Sequence, residues 1–169
     1  PNSGELLGAR MIKRHPPRPV FFAVFILAVQ TLLATDVRAD DKVNRALIMW
    51  SAFSCVAYAD MSGNKKAQER LLEAGYNAGR AFIDGAKSKT IAEAEFREAP
   101  LGVVMRLFGP TTDFIMGRIF EAAMDEAIDK VVKRDAEGFP ILDPSRWANN
   151  ELKKVKAENQ FHQSNCALI

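Results

Sequence analysis

The chain has 169 residues, 48% of them hydrophobic and 26% charged, with two cysteines and a formal net charge of +2. Of its 23 Lys/Arg and 21 Asp/Glu, five and two precede Asp40, which leaves 18 and 19, a net charge of −1, from Asp40 onward. A domain so balanced lacks the sequence-level clustering of positive charge that marks a nucleic-acid-binding protein, and no nucleic-acid partner is expected.

Residues 1–10 do not begin with Met and read as upstream or non-native sequence, outside the fold. Residues 11–39 read as a secretory signal peptide. Lys13, Arg14 and Arg18 make a positive start, an apolar run follows over 20–34, and Val37 and Ala39 occupy the −3 and −1 positions of a cleavage site. The apolar run falls short of the roughly 20 residues that span a bilayer as a helix. Cleavage after Ala39 would send residues 40–169 by the general secretory route to the periplasm or the exterior. Membrane contact is expected only through the leader, if it stays uncleaved.

The remaining sequence predicts a single all-α domain, an irregular bundle of about five helices. The first is predicted over 42–61. Leu47, Ile48, Met49, Trp50, Phe53, Val56 and Tyr58 point in nearly every direction on a helical wheel, which predicts a central helix buried on all sides. Gly63 suits its C-cap and Asn64 the N-cap of a second helix over 65–87. Gly75 and Gly79 share one face of that helix. Each lowers helix propensity by about 1 kcal/mol, so the pair implies close approach of a neighbouring helix or of a ligand.

A short acidic helix is predicted over 90–99. Pro100 would sit at the first position of another over 101–108, and Gly109-Pro110 would stop it. Thr111 or Thr112 is expected to cap a long helix reaching about Asp135, with its core face made by Met116, Phe120, Ala123, Met124, Ala127, Ile128 and Val131. Asp143-Pro144 is expected to open a last helix, amphipathic through Trp147, Leu152 and Val155. The basic run Lys153-Lys154-x-Lys156 reads as a solvated face. No segment alternates with period two, so no strand is predicted.

Cys55 and Cys166 lie at opposite ends of the domain. An even count without metal-ligand spacing predicts a disulfide in an oxidising compartment. It would staple a polar C-terminal tail to the first helix, bring the apolar end 167–169 onto the core, and set the Cα atoms about 4.4–6.8 Å apart. The ending Cys166-Ala-Leu-Ile has the form of a prenylation box, a reading that export to an oxidising compartment displaces.

Chemistry is sparse. A nucleophile elbow, a phosphate-binding glycine loop and a zinc helix motif are all missing. His162, in a polar stretch, reads as a surface residue. No metal or cofactor is predicted. The densest stretch is 109–121, and its candidate ligand- or partner-binding residues are Thr112, Asp113, Arg118, Glu121 and Asp125. Arg118, Glu121, Asp125 and Asp129 fall in one narrow helical stripe. One reading is an ion ladder on a solvated edge. The other is a half-buried polar seam in which Arg118 anchors a carboxylate beside a helix N-terminus. The expected function is a non-enzymatic envelope protein that binds an unidentified envelope protein or small ligand. The alternative is a small envelope hydrolase using carboxylates near Arg118. A polar concave pocket at Arg118 would favour the hydrolase, and a flat or convex apolar patch the binding protein.

Overall fold

In the computed structural model, which describes residues 37–91 and 93–169, helix α1 spans Val37–Ser62 and α2 spans Lys65–Lys87. The expected leader lies outside the described residues as far as Asp36, and α1 begins earlier than the pattern of apolar residues indicated.

The turn between these helices follows from two residues. Gly63 has φ +81°, a backbone conformation that strains residues bearing a Cβ. There the Asn64 N–H donates to Ala59 O at 2.8 Å and the Gly63 N–H to Asp60 O at 3.0 Å, the paired bonds of a Schellman cap. The Asn64 side chain then accepts from the Ala67 N–H at 3.1 Å and starts α2.

Helix α3 spans Glu93–Glu98. Pro100 is not the first residue of the next helix but its N-cap, with ψ 137°, and α4 is one turn, Leu101–Val104. Thr111 caps α5, Thr112–Val132, its hydroxyl accepting from the Phe114 N–H at 3.1 Å. The expected continuation of α5 to Asp135 is replaced by a tight reversal. Asp135 N–H donates to Phe139 O at 3.0 Å, Ile141 N–H to Lys133 O at 2.8 Å, and Gly138 turns at φ +87°. An antiparallel bridge between Arg134 and Pro140 results, and the described residues contain no longer strand.

Asp143-Pro144 opens only a 3-10 turn, Pro144–Arg146, and α6 starts later, at Asn150–Gln163, capped by Asn149. The reason is Trp147. Its indole N–H donates to Ile141 O at 3.0 Å and its ring lies under the Lys133 ammonium at 5.2 Å, so it pins the loop instead of lining a helix. Trp147, Leu152 and Val155 are exposed, and α6 instead buries Ala157 and Phe161.

Residues Val37–Ile169 form one compact unit in which α1 packs against α2, α3, α5 and α6. One part of the core gathers Met49, Phe53, Phe82, Ile83, Ile115 and Ile119. The other gathers Cys55, Tyr58, Leu71, Val131, Phe161 and Cys166. Burial of α1 on all sides holds only where α6 closes the ring, over Cys55 to Ala59, while Leu47 and Ile48 are 42% and 36% exposed. The α5 core face is turned toward Ile115 and Ile119, leaving Phe120, Met124 and Ile128 partly buried.

Helix α2 approaches α1 through its glycines. A Cβ at Gly75 would stand 2.6 Å from Phe53 Cε1 and 3.2 Å from Ala52 Cβ. One at Gly79 would stand 2.5 Å from Met116 Sδ and also press on Met49 Sδ. Gly102 does the same for the Trp50 ring.

Cys55 and Cys166 are paired as a disulfide, both fully buried, with Cα atoms 5.6 Å apart. The expected polar tail is mostly helix α6. Arg70 Nη2 donates to Cys166 O at 2.9 Å and the Cys166 N–H to Phe161 O at 3.1 Å. Beyond the bridge only Ile169 packs on the core, and Leu168 is 85% exposed. No described helix is long and apolar enough to cross a membrane.

Candidate functional site

The five candidate residues on α5 do not converge on one cleft. Thr112 and Asp113 tie the start of α5 to α2: Thr112 Oγ1 donates to Asp84 Oδ1 at 2.6 Å, and Asp113 Oδ1 accepts from the Tyr76 hydroxyl at 3.2 Å. Tyr76 in turn accepts from Arg80 Nη1 at 3.2 Å. Arg118 leaves the ladder. Its Nη1 donates to Phe108 O at 3.1 Å, and its guanidinium carbon lies 4.4 Å from the Phe108 ring centroid and 5.9 Å from that of Phe114. A planar cation gains more from a carbonyl plus aromatic faces than from an exposed carboxylate in water. Glu121 and Asp125 are exposed and form no ion pair among the described residues. Among the described residues the ion pairs at the C-terminal end of the helix are Lys130–Glu126 at 2.7 Å and Lys133–Asp129 at 2.6 Å.

Phe108 and Phe114 are 65% and 50% exposed, so Arg118 sits on an apolar corner rather than in a polar pocket. A shallow depression of about 270 Å³ between α2 and α5 is lined by Phe53, Leu72, Tyr76, Asp113, Met116 and Phe120 and does not include Arg118. Nothing in this arrangement aligns two carboxylates across a space.

A larger concavity lies elsewhere, between the end of α5, the 135–148 loop and α6, with a volume of about 570 Å³. Four cations line it: Lys130, Arg134, Arg146 and Lys156, against one carboxylate, Asp135. Ile141, Ala148 and Leu152 supply alkyl surface, and Asn159, Gln160 and Gln163 supply amides. Leu152, Lys156, Asn159, Gln160 and Gln163 share one face of α6 by their spacing, turned away from buried Ala157 and Phe161. Two of the cations are held by backbone carbonyls: Lys156 Nζ donates to Arg134 O at 2.5 Å and Arg134 Nη1 to Gly138 O at 2.9 Å. Asp135 accepts from the Phe139 N–H at 2.7 Å. Lys156 is thus half-buried and engaged, a correction to the solvated face expected for its run.

Sequence reasoning missed this groove because its cations are spread from Lys130 to Lys156 and meet only through the loop reversal. The available signal was the cluster Lys130, Lys133 and Arg134 before Gly138-Phe139-Pro140, followed by Arg146.

Two groups near the groove titrate away from their ordinary values. Burial pushes the Tyr58 phenol up, opposed by neighbouring Lys130 and by the Ser164 hydroxyl. Ser145, through its hydroxyl and its N–H, holds Asp143 below the usual carboxylate range and so fixes the 3-10 turn that carries Arg146. No group of three or more His, Cys, Asp or Glu among the described residues is placed to hold a metal ion.

Fold and site together define a helical, singly disulfide-linked domain with a basic groove. No protein-family model, curated protein or solved structure matches the chain.

Proposed function

We propose that this chain is an exported, non-enzymatic binding protein of the cell envelope, an accessory factor that holds a small ligand in the groove between α5 and α6. The observation that carries the reading is the groove itself: about 570 Å³, within the range of roughly 300–1,000 Å³ typical of small-molecule sites. Its lining combines alkyl surface, amides and cations, groups that orient and retain a ligand. The leader-like sequence over 11–39 and the buried disulfide support export, since such bonds persist in oxidising compartments.

The alternative, a hydrolase using carboxylates near Arg118, draws little support from the geometry. Arg118 lies on phenyl rings, and Glu121 and Asp125 face solvent without a facing cleft.

The test is recovery of a tagged copy from the cell envelope, followed by intact mass, N-terminal sequencing and mass spectrometry of small molecules released on denaturation. A protein beginning at Asp40 with a stoichiometric small molecule is expected. A mature form that retains 20–34 reverses the export reading. Hydrolytic turnover of an ester or glycoside panel that disappears in Glu121→Gln/Asp125→Asn reverses the non-enzymatic one.

A further inference from the structure

Four cations lining one concavity repel one another unless something offsets their charge. The charge on the C-terminal end of α5 accounts for Lys130, since cations favour that end of a helix. It does not account for Arg146, on the 3-10 turn. Among the described residues Arg134, Arg146 and Lys156 have no carboxylate within ion-pair distance, and the side chain of Arg146 has no partner at all. Among the described residues the one ion pair made by a lining cation is Lys130–Glu126, one turn apart on α5.

The positions are also fixed in advance. Arg134 spends one N–H on Gly138 O, which leaves the rest of its donors for a ligand. Lys156 is tied to Arg134 O, so the two cations are held at one wall. Gln160 Nε2 donates to Gln163 Oε1 at 3.2 Å and sets the amide rim. A guanidinium fork next to ammonium groups suits a planar or tetrahedral oxyanion.

We infer that the groove between α5 and α6 binds an organic oxyanion bearing two or more phosphoryl or carboxylate charges, its apolar body resting on Ile141, Ala148 and Leu152. This rests on the ligand-binding reading above and adds the ligand's chemical class. The same chemistry occurs in a free metabolite and in an anionic lipid headgroup.

The experiment uses the chain as exported. Calorimetry with citrate and with pyrophosphate tests the free form, and co-sedimentation with phosphatidylglycerol against phosphatidylcholine vesicles tests the lipid form. Side-chain amide resonances of Asn159, Gln160 and Gln163 report the site. Binding to citrate, pyrophosphate or anionic vesicles should weaken at least about tenfold in Lys130→Gln/Arg146→Gln, two exposed cations whose loss leaves the core intact. It should be unchanged in Lys65→Gln/Lys66→Gln, which removes the same charge on α2. Equal loss in both variants means a diffuse field and overturns the site. Absence of binding to every probe overturns it as well. A neutral molecule recovered from the groove keeps the ligand-binding reading and overturns the oxyanion class.

Discussion

Replacing Gly75 by Ala sets two effects of known size against each other. Gly75 lies inside α2, where Ala is favoured over Gly by about 1 kcal/mol. Its new Cβ, however, would stand 2.6 Å from Phe53 Cε1, about 1 Å inside ordinary carbon contact. Phe53 cannot easily yield. It is 1% exposed and meets the Phe120 ring edge-on with centroids 5.1 Å apart. Overpacking of this kind costs about 1–3 kcal/mol, and loss of the ring pair adds about 0.5–1.5 kcal/mol. The net effect should be destabilisation of about 1–3 kcal/mol, a fall in Tm on the order of 3–10 °C by thermal unfolding. Gly117 is the control. It is also inside a helix, α5, but a Cβ there meets nothing within 4 Å, so Gly117→Ala should stabilise by up to about 1 kcal/mol. A double-mutant cycle with Phe53→Leu should restore part of the loss in Gly75→Ala. If Gly75→Ala raises Tm as Gly117→Ala does, or if Phe53→Leu shows no coupling to it, the close approach of α1 and α2 is refuted.

Removing the bridge with Cys55→Ala/Cys166→Ala opens a loop set by a sequence separation of 111. The chain-entropy model gives about 4–5 kcal/mol for such a loop, so Tm should drop on the order of 10–20 °C. Protease should then cut in α6, and an unchanged Tm would refute the staple. Tyr58 provides a test by pH. Its folded pKa is raised by burial, so its contribution is complete below the unfolded value of about 10 and is lost as pH rises from there through the folded value. Denaturant titration should show that alkaline slope, and Tyr58→Phe should flatten it. Arg118→Ala removes one hydrogen bond and a partly exposed cation–π contact and should cost about 1 kcal/mol. A loss of several kcal/mol in the same titration would point to a buried ion pair instead.

The elements set by local chemistry were legible. Asn64 and Thr111 cap helices through their own side chains, Gly63 supplies a conformation few residues share, and α2 follows its expected bounds. The all-α class and the pairing of Cys55 with Cys166 were legible too, the latter because two cysteines allow only one pairing. Elements decided by distant partners were not. Asp143 looked like a helix cap, but Trp147 is drawn to Ile141 O and Lys133, which delays α6 to Asn150. Arg118 had carboxylates at helical spacing, yet the Phe108 carbonyl and ring, ten residues away, hold it. The basic groove was faint in the sequence for the same reason, since Lys130 and Lys156 come to line one groove only through a reversal at Gly138.

The seat of α6 against α1 also dictates an order of assembly. The inner surface of α1 near Cys55 is covered by Phe161 and Cys166, which follow it by more than a hundred positions. A chain threading out of a ribosome or a translocation pore therefore presents α1, and partners it with α2, long before its last cover arrives. Until then Leu71, Ala127 and Val131 are the partners available to this part of the core, and the cover from Phe161 and Cys166 is still missing. Closure becomes final late, when Cys166 has emerged and an oxidant or a donor disulfide couples its thiol to that of Cys55, which locks the whole span between the two sulfurs.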